Sequence, residues 1–241
     1  MIGVLAVFFV ATVIRSAFGF GEALIAVPLL ALMLPVEVAA PVAVMVSVTV
    51  ALIVVAQDWR EIHVRSAGWL LVSTLFGIPV GLWILKNVPE GAAKGALGVV
   101  ILAFGWYLLA NRWRGELKND RPAWFFGFLA GVLGGSYGVN GPPLVIYGVL
   151  RGWTPANFRA TLQGYFLPAS LAGTIGYWMA GLWTAEVSRL YLWSLPAVVP
   201  AIFVGRWLNR RLEARRFLMW VHWGLVGIGM ALIWEGWRKG V

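Results

Sequence analysis

The sequence predicts an all-α polytopic membrane protein built as two inverted-topology repeats, each holding a broken pair of short helices and three long transmembrane helices. The first observation is the apolar load: of 241 residues, 61% are hydrophobic and 12% are charged, and the mean hydropathy is +0.82. A soluble domain carries about 25% charged residues, so this surplus of apolar surface requires lipid. The other two observations are a pair of glycine-rich interruptions and a similarity between the two halves of the chain.

The composition also excludes several classes of protein. With no cysteine, the chain cannot form disulfides, thiolate zinc sites or iron–sulfur clusters, and its two histidines are too few for a histidine metal cluster. The patterns G-x-S-x-G, H-E-x-x-H and GxxxxGK[ST] do not occur. We therefore predict no catalytic residues, no metal and no cofactor, and a chain that is not an enzyme.

The long helices are predicted from the gaps between charged residues, because a helix needs about 20 apolar residues to cross a bilayer. Uncharged, largely apolar runs that meet or approach this length cover residues 38–57, 66–85, 95–111, 160–185, 190–205 and 217–234. Pro196 and Pro200 predict a kink in the fifth of them. These six runs are the predicted full crossings.

Two further regions each hold a pair of short apolar segments separated by glycine. The first break, residues 18–22, separates residues 2–17 from 22–34, and the second, residues 137–143, separates 123–136 from 142–150. A broken helix is tolerated at membrane depth only where protein or a water-filled cavity satisfies the freed backbone groups. Each pair is expected either to cross twice or to turn back as a re-entrant hairpin.

The two halves of the chain match each other in order and spacing. Phe18-Gly19 matches Tyr137-Gly138, and residues 80–83 (VGLW) match residues 204–207 (VGRW). These matches predict a first membrane repeat over residues 1–110, a cytoplasmic linker over 111–121 and a second membrane repeat over 122–241. In each half the short pair crosses the membrane twice or not at all, and three long helices follow. The number of crossings per half is therefore odd, so the second half is inverted relative to the first, as in many secondary transporters.

The distribution of basic residues predicts the orientation. Of the 19 Lys and Arg residues, 13 fall in loops on one predicted side and five on the other. The positive-inside rule places the first side in the cytoplasm and both termini outside. The basic cluster between Arg206 and Arg216 is then a topology signal or a contact with lipid headgroups, and nucleic acid is not an expected partner.

The two breaks form the predicted substrate site. In an inverted arrangement their tips meet near the midplane, where the helices that follow them present N-termini suited to an anion. Glycine lets the backbone approach a ligand closely, and an asparagine amide can donate to it. The substrate-binding candidates are Gly19, Gly21, Gly138, Asn140 and Gly141. The alternative is that these glycines only pack against neighbouring helices.

Two charged residues flank the first break, and an ionisable group inside a membrane is a functional hypothesis by default. Arg15 is a candidate to bind the substrate anion as a bidentate donor. Glu22 is a candidate to carry a coupling proton. The alternative is a structural Arg15–Glu22 ion pair whose charges neutralise each other.

Polar residues after the second break supply the remaining candidates. Thr161 and Gln163 are predicted to line the substrate site. Arg159 either contacts the anion or extends to the cytoplasmic surface. Hydroxyl side chains elsewhere in the helices are expected to bond the backbone of their own helix: Ser47, Thr49 and Ser73.

Two of these segments resemble motifs of a known family. Residues 16–30 (SAFGFGEALIAVPLL) resemble the first glycine-rich motif of the TauE/SafE family of membrane transporters. Residues 138–147 (GVNGPPLVIY), followed by residues 158–162 (FRATL), resemble the motif of its second half, and the likeness extends over about residues 2–237. In the first motif, Glu22 and Ala23 stand where many members carry glycine.

The resemblance implies a secondary carrier or exporter of small anions, mostly sulfur compounds such as sulfite, sulfoacetate and related sulfonates. It also implies a prokaryotic cell membrane. We therefore predict a transporter that moves such an anion by alternating access, coupled to protons through Glu22. A passive anion channel and an accessory membrane subunit are the alternatives, with a membrane-embedded enzyme disfavoured. The expected partners are the anion and lipids, in a monomer or a homodimer.

Overall fold

The computed structural model describes residues 2–58, 64–110, 117–209 and 214–240. All regular structure in these ranges is helical. The helices are α1 (Ile2–Phe18), α2 (Glu22–Ala31), α3 (Val36–Asp58), α4 (Val64–Asn87), α5 (Glu90–Ala110), α6 (Ala123–Tyr137), α7 (Gly141–Leu150), α8 (Pro155–Met179), α9 (Ala185–Asn209) and α10 (Ala214–Gly240). The predicted all-helical fold is confirmed.

Both predicted breaks are present. The first separates α1 from α2 and the second separates α6 from α7. Gly19 and Gly21 have φ of 86° and 102°, and Gly138 has φ of 68°. Side chains disfavour this left-handed region, so the chain reverses direction where glycine permits it. We call α1–α2 the first hairpin and α6–α7 the second hairpin.

Four of the described helices are long and apolar enough to cross a membrane. They contain the spans Val36–Ala56, Ser66–Asn87, Glu90–Ala110 and Ala185–Leu208. The last of these continues as a helix through both of its prolines. The predicted crossings by α8 and α10 stay predictions.

A short turn follows the fourth long apolar run. The charge pattern predicts a loop over residues 181–189, and in the structure α8 ends at Met179 and α9 begins at Ala185. Gly181 lies between them with φ of 77°. The turn contains no charged residue, so charge spacing places its ends only to within a few residues.

Glycines bring α4 and α6 into backbone contact. Gly77 and Gly81 of α4 pack against Gly131 and Gly135 of α6, and Gly127 packs one turn further along. A Cβ atom added to any of these five would overlap the backbone of the opposite helix. Small residues at four-residue spacing are typical of close helix packing in membranes. The second hairpin is therefore held tightly against α4.

The remaining helix pairs follow the order of the two halves. Alongside the α4–α6 contact, α1 packs against α9, where Gly205 lies on the backbone of Val13. In addition, α3 packs against α8 and α5 against α10. The helices α1 to α5 correspond in order to α6 to α10. Replacing each helix by its counterpart gives the same set of pairs. A duplicated chain produces such pairing, and the inverted relation between the halves stays a prediction.

The outer surface is apolar and α3 is the most enclosed of the four candidate spans. Of the residues in its most apolar stretch, 67% are buried inside the protein, against 39% or less in the other three spans. Large side chains such as Phe76, Trp83 and Trp106 are more than 60% exposed. A monomer in water rarely exposes so much contiguous apolar surface, and lipid is the solvent that fits it.

Candidate functional site: a buried Arg–Glu pair between two helix breaks

Polar side chains converge on the first break from α1, α2, α3 and α8. Arg15 is 3% exposed, Glu22 2% and Gln163 2%. Thr12 and Ser47 are also buried beside them. Charged residues are almost never buried this deeply without partners, so the contacts of each one define what the cluster can do.

Arg15 and Glu22 form a buried ion pair across the break. The guanidinium Nη1 donates to Glu22 Oε2. The second carboxylate oxygen accepts from Thr12 Oγ1 at 2.9 Å. Because Gly19 and Gly21 reverse the chain, α2 begins beside the end of α1 and its first residue reaches back to Arg15. The Arg15–Glu22 ion pair, given above as the alternative for these two residues, is therefore formed.

Two other helices complete the environment of Arg15. Nη1 also donates to Ser47 Oγ at 2.7 Å, and Nη2 donates to Gln163 Oε1 at 3.0 Å. Gln163 Nε2 donates in turn to the carbonyl oxygen of Gly19 at 2.8 Å. The guanidinium carbon lies 5.1 Å from the ring centroid of Phe166, a cation–π contact. Arg15 Nε has no hydrogen-bond partner in the part of the chain that the structure describes.

The expectation for the hydroxyl residues is wrong for Ser47. It bonds Arg15 and, at 3.1 Å, Ser170 Oγ. Its oxygen accepts a charge-assisted hydrogen bond, which is about twice as strong as a neutral one. In the orientation that makes this bond, the hydroxyl lies beside Ser170 Oγ and not beside a carbonyl of its own helix. Thr49 bonds both the carbonyl of Met45 and, at 2.8 Å, Tyr191. Ser73 does bond its own helix, as expected.

A cavity of about 20 Å³ lies between the two breaks. Its lining comes from both hairpins and from α3 and α8: Arg15, Gly21, Glu22, Ala23, Leu24, Ser47, Asn140, Gly141 and Phe166. That volume holds about one water molecule. The predicted meeting of the two tips is present in the structure, with the charged pair on one wall and Asn140 on the other.

Asn140 is the polar side chain that the second hairpin brings to this cavity. It also borders a second small cavity, lined by Gly138, Thr74 and Ser170 among others. Within the described ranges the Asn140 amide makes no hydrogen bond, although the residue is the N-cap of α7. Its two N–H donors and its acceptor are therefore available to a ligand.

Not every predicted site residue lines the cavity between the breaks. Gly138 lines only the second cavity. Gln163 lines neither cavity and is linked to the site by its bonds to Arg15 and to the carbonyl of Gly19.

Thr161 is fully buried in α8, yet it is not among the residues that line either cavity. The side chain of Arg159 lies outside the described part of the chain. A role of Thr161 or Arg159 in binding the substrate therefore stays a prediction.

Three members of this cluster are not among the residues predicted from the sequence: Thr12, Phe166 and Ser170. Spacing could have indicated all three, because residues three or four apart share a helix face. Thr12 lies three before Arg15, while Phe166 and Ser170 lie three and seven after Gln163. No cluster of three or more His, Cys, Asp or Glu that could hold a metal lies among the described residues.

The comparisons with known proteins agree with this architecture. The family model described as "Sulfite exporter TauE/SafE" matches residues 4–232. The chain belongs to the TauE/SafE family. It is also similar to a protein of Cupriavidus necator described as "Probable sulfite/organosulfonate exporter TauE", with 26% identity over 188 residues, 73% of this chain and 68% of the relative. No solved structure matches the chain. The resemblance noted in the sequence is confirmed, and the chain is a homologue of membrane transporters.

Proposed function

We propose that this chain is a secondary transporter that moves a small anion across a prokaryotic cell membrane by alternating access. The observation that carries the proposal is the buried guanidinium of Arg15 beside a cavity where two helix breaks meet. An intramembrane arginine is costly and marks a substrate or ion path in many membrane proteins. Its planar fork suits carboxylates and other oxyanions.

The backbone around the cavity favours an anion as well. Both α2 and α7 begin at the cavity, at Glu22 and Gly141. A helix N-terminus presents N–H groups without intrahelical partners and about half a positive charge. Broken helices whose N-termini face an anionic substrate are a recurrent feature of secondary transporters. Arg15, the two N-termini and the Asn140 amide together supply donors from both hairpins.

The size of the cavity supports alternating access over an open pore. It holds about one water molecule, so even a small oxyanion fits only when one hairpin moves relative to the other. The α4–α6 glycine contacts hold the second hairpin to the long helices. The proposed motion is therefore a displacement of the first hairpin against that fixed wall, within an inverted repeat whose termini both face outside.

The substrate we propose is a sulfur oxyanion or an organosulfonate, such as sulfite or sulfoacetate. The support is family membership and the relative described as a sulfite/organosulfonate exporter. Glu22 is the proposed coupling residue, because it is the carboxylate that contacts Arg15. We further propose that the chain catalyses no reaction and that import or export is set by the prevailing gradients.

Ligand-induced stabilisation tests the anion site. The protein purified in detergent is heated with sulfite, sulfate, thiosulfate, sulfoacetate, taurine, acetate or lactate. A ligand at 100 times its Kd adds about 2.7 kcal/mol to the stability of a protein that binds it only when folded. We expect a shift with at least one sulfur anion. The matched control is the double variant Arg15→Gln/Glu22→Gln, which keeps the site neutral and removes the guanidinium.

Flux into proteoliposomes then separates transporter from channel. A transporter saturates with anion concentration and responds to a gradient of the coupling ion, whereas a channel does neither. A cooperatively unfolding protein that no anion stabilises, and that co-purifies with another membrane protein, contradicts the proposal and supports an accessory subunit.

A further inference from the structure

We infer that the Glu22 carboxylate occupies the anion position on Arg15, and that a singly charged substrate replaces it only together with one proton. This inference rests on the proposed anion transport. The observation behind it is that the one described cation in the cavity wall is already paired with a carboxylate from the same hairpin. An incoming anion and Glu22 must therefore compete for the same donor.

The charges at the site decide what the competition requires. Without substrate, the positive Arg15 and the negative Glu22 cancel. If an anion entered while Glu22 stayed ionised, the buried site would hold one uncompensated negative charge, which a low-dielectric interior disfavours. A proton on Glu22 removes that charge. The site is then neutral both empty and loaded, so its movement across the membrane carries no net charge.

The contacts of Glu22 fit both of its protonation states. Thr12 Oγ1 donates to the ionised carboxylate at 2.9 Å, and a hydroxyl can also accept a hydrogen bond. A protonated Glu22 can therefore donate to Thr12 without leaving its place. On the guanidinium, Nε is a buried donor with no partner among the described residues. Once Nη1 is released by Glu22, Arg15 has donors for an oxyanion while Gln163 still holds Nη2.

The same charge count names the substrate class. A single positive charge beside a protonated carboxylate balances one negative charge. Hydrogensulfite, a simple sulfonate or a carboxylate meets this requirement. A dianion leaves the buried site with a surplus charge even when Glu22 is protonated. This applies to sulfate, to sulfite itself and to sulfoacetate with both of its acid groups ionised, so of the proposed substrates hydrogensulfite fits the site best. The site therefore selects monoanions among small oxyanions of similar shape.

Other charged or titratable groups near Glu22 need to be separated from it. On α10, His222 lines an apolar cavity that also includes Gly21. On α9, Arg206 follows the glycine that packs on α1. The groups that α3 and α8 present to Arg15, Ser47 and Gln163, do not titrate there. The residue that α5 contributes to the cavity beside Gly21 is Leu108, which carries no titratable group. His222 is thus the group to control for.

The test measures binding of methanesulfonate and sulfate from about pH 5 to 9, a range over which both probes stay ionised, so that any pH dependence comes from the protein. Because binding takes up a proton, methanesulfonate affinity should fall about tenfold per pH unit while Glu22 is ionised in the empty site. Methanesulfonate should bind more tightly than sulfate. Proton uptake by the wild-type protein in weak buffer gives a second measurement that needs no variant, with about one proton expected per anion.

Two variants assign the proton. In Glu22→Gln, methanesulfonate binding should lose its pH dependence and exceed that of the wild type at high pH, because the competing carboxylate is gone. His222→Gln should keep the wild-type dependence. Binding without proton uptake, or an unchanged pH profile in Glu22→Gln, overturns the inference and leaves anion transport standing. Absence of binding by either probe and by the wider anion panel overturns both.

Discussion

The two hairpins share one backbone plan and differ in chemistry. Each is a helix of about four turns, a break containing a left-handed glycine, and a helix of ten residues. The first hairpin carries Arg15 and Glu22 at its break, while the second carries no charged residue between positions 122 and 150. The difference teaches that the break supplies the shape of the site and that only one hairpin supplies its charge.

The two hairpins also differ in how they contact the neighbouring helices. The second hairpin lies on α4 through five glycines with backbone contact. At its far end, Tyr147 and Arg151 both bond Asp120, at 2.8 and 3.3 Å. Among the described residues, the first hairpin has one such glycine contact, Gly205 of α9 on the backbone of α1. At the break it is joined to its neighbours by hydrogen bonds from Arg15 and Gln163. Polar bonds of this kind can be exchanged for bonds to a ligand, whereas packed backbones cannot.

Removing the charge of the first hairpin should have the largest effect. In Arg15→Gln, methanesulfonate or sulfite binding should fall by at least about 100-fold, since charged hydrogen bonds and the charge itself are lost together. Stability should also fall by about 3 kcal/mol or more, because Glu22 is left buried without its partner. Titration calorimetry and denaturant unfolding in detergent measure the two effects.

The double variant separates them. Arg15→Gln/Glu22→Gln should recover much of the stability and none of the binding. Recovery of binding in the double variant would show that the anion site does not depend on the guanidinium. Arg15→Lys keeps the charge without the planar fork, so its binding should be intermediate.

Disturbing the packing of the second hairpin should cost stability and spare the chemistry. In Gly131→Ala, the added Cβ meets the backbone of Thr74 and Gly77. Overpacking of this kind costs about 1–3 kcal/mol. The matched control is Gly68→Ala on α4, where the added atom has no neighbour within 4 Å. An equal effect in both variants, measured by unfolding in detergent, would contradict the proposed tight support.

Asn140 tests the smaller contribution of the second hairpin to the anion. Asn140→Ala should weaken anion binding by about tenfold, the loss of one charge-assisted hydrogen bond. Asn140→Asp is nearly the same size and should weaken it further, because it adds a negative charge to the cavity wall. If Asn140→Asp binds the anion as well as the wild type, the second hairpin does not contact the substrate.

Much of this arrangement could be predicted from local sequence. The breaks were predicted because glycine is the residue that adopts positive φ, and Arg15 and Glu22 were singled out because charge is expensive among apolar residues. The contacts of Ser47 and Ser170 could not be derived in the same way. They join α3 to α8 across 123 residues of chain, and nothing in either local segment indicates which distant helix lies beside it.

The α4–α6 contact also shows that local sequence does not identify the partner of a helix. Glycines at positions 127, 131 and 135 indicate that a helix approaches closely. They do not identify Gly77 and Gly81 as the partners. The charge pattern predicts a loop over residues 181–189, but α9 already begins at Ala185. Charge spacing therefore locates membrane segments better than it locates helix ends.

The most direct test of the account is the driving force for methanesulfonate uptake into proteoliposomes. Exchange of the Glu22 carboxylate for a monoanion plus a proton keeps the buried site neutral. A pH gradient that is acidic outside should therefore drive accumulation by itself, and a potassium–valinomycin potential without a pH gradient should drive none. Glu22→Gln vesicles should bind the anion and fail to concentrate it. Accumulation driven by the potential alone, with no response to the pH gradient, would contradict the central claim.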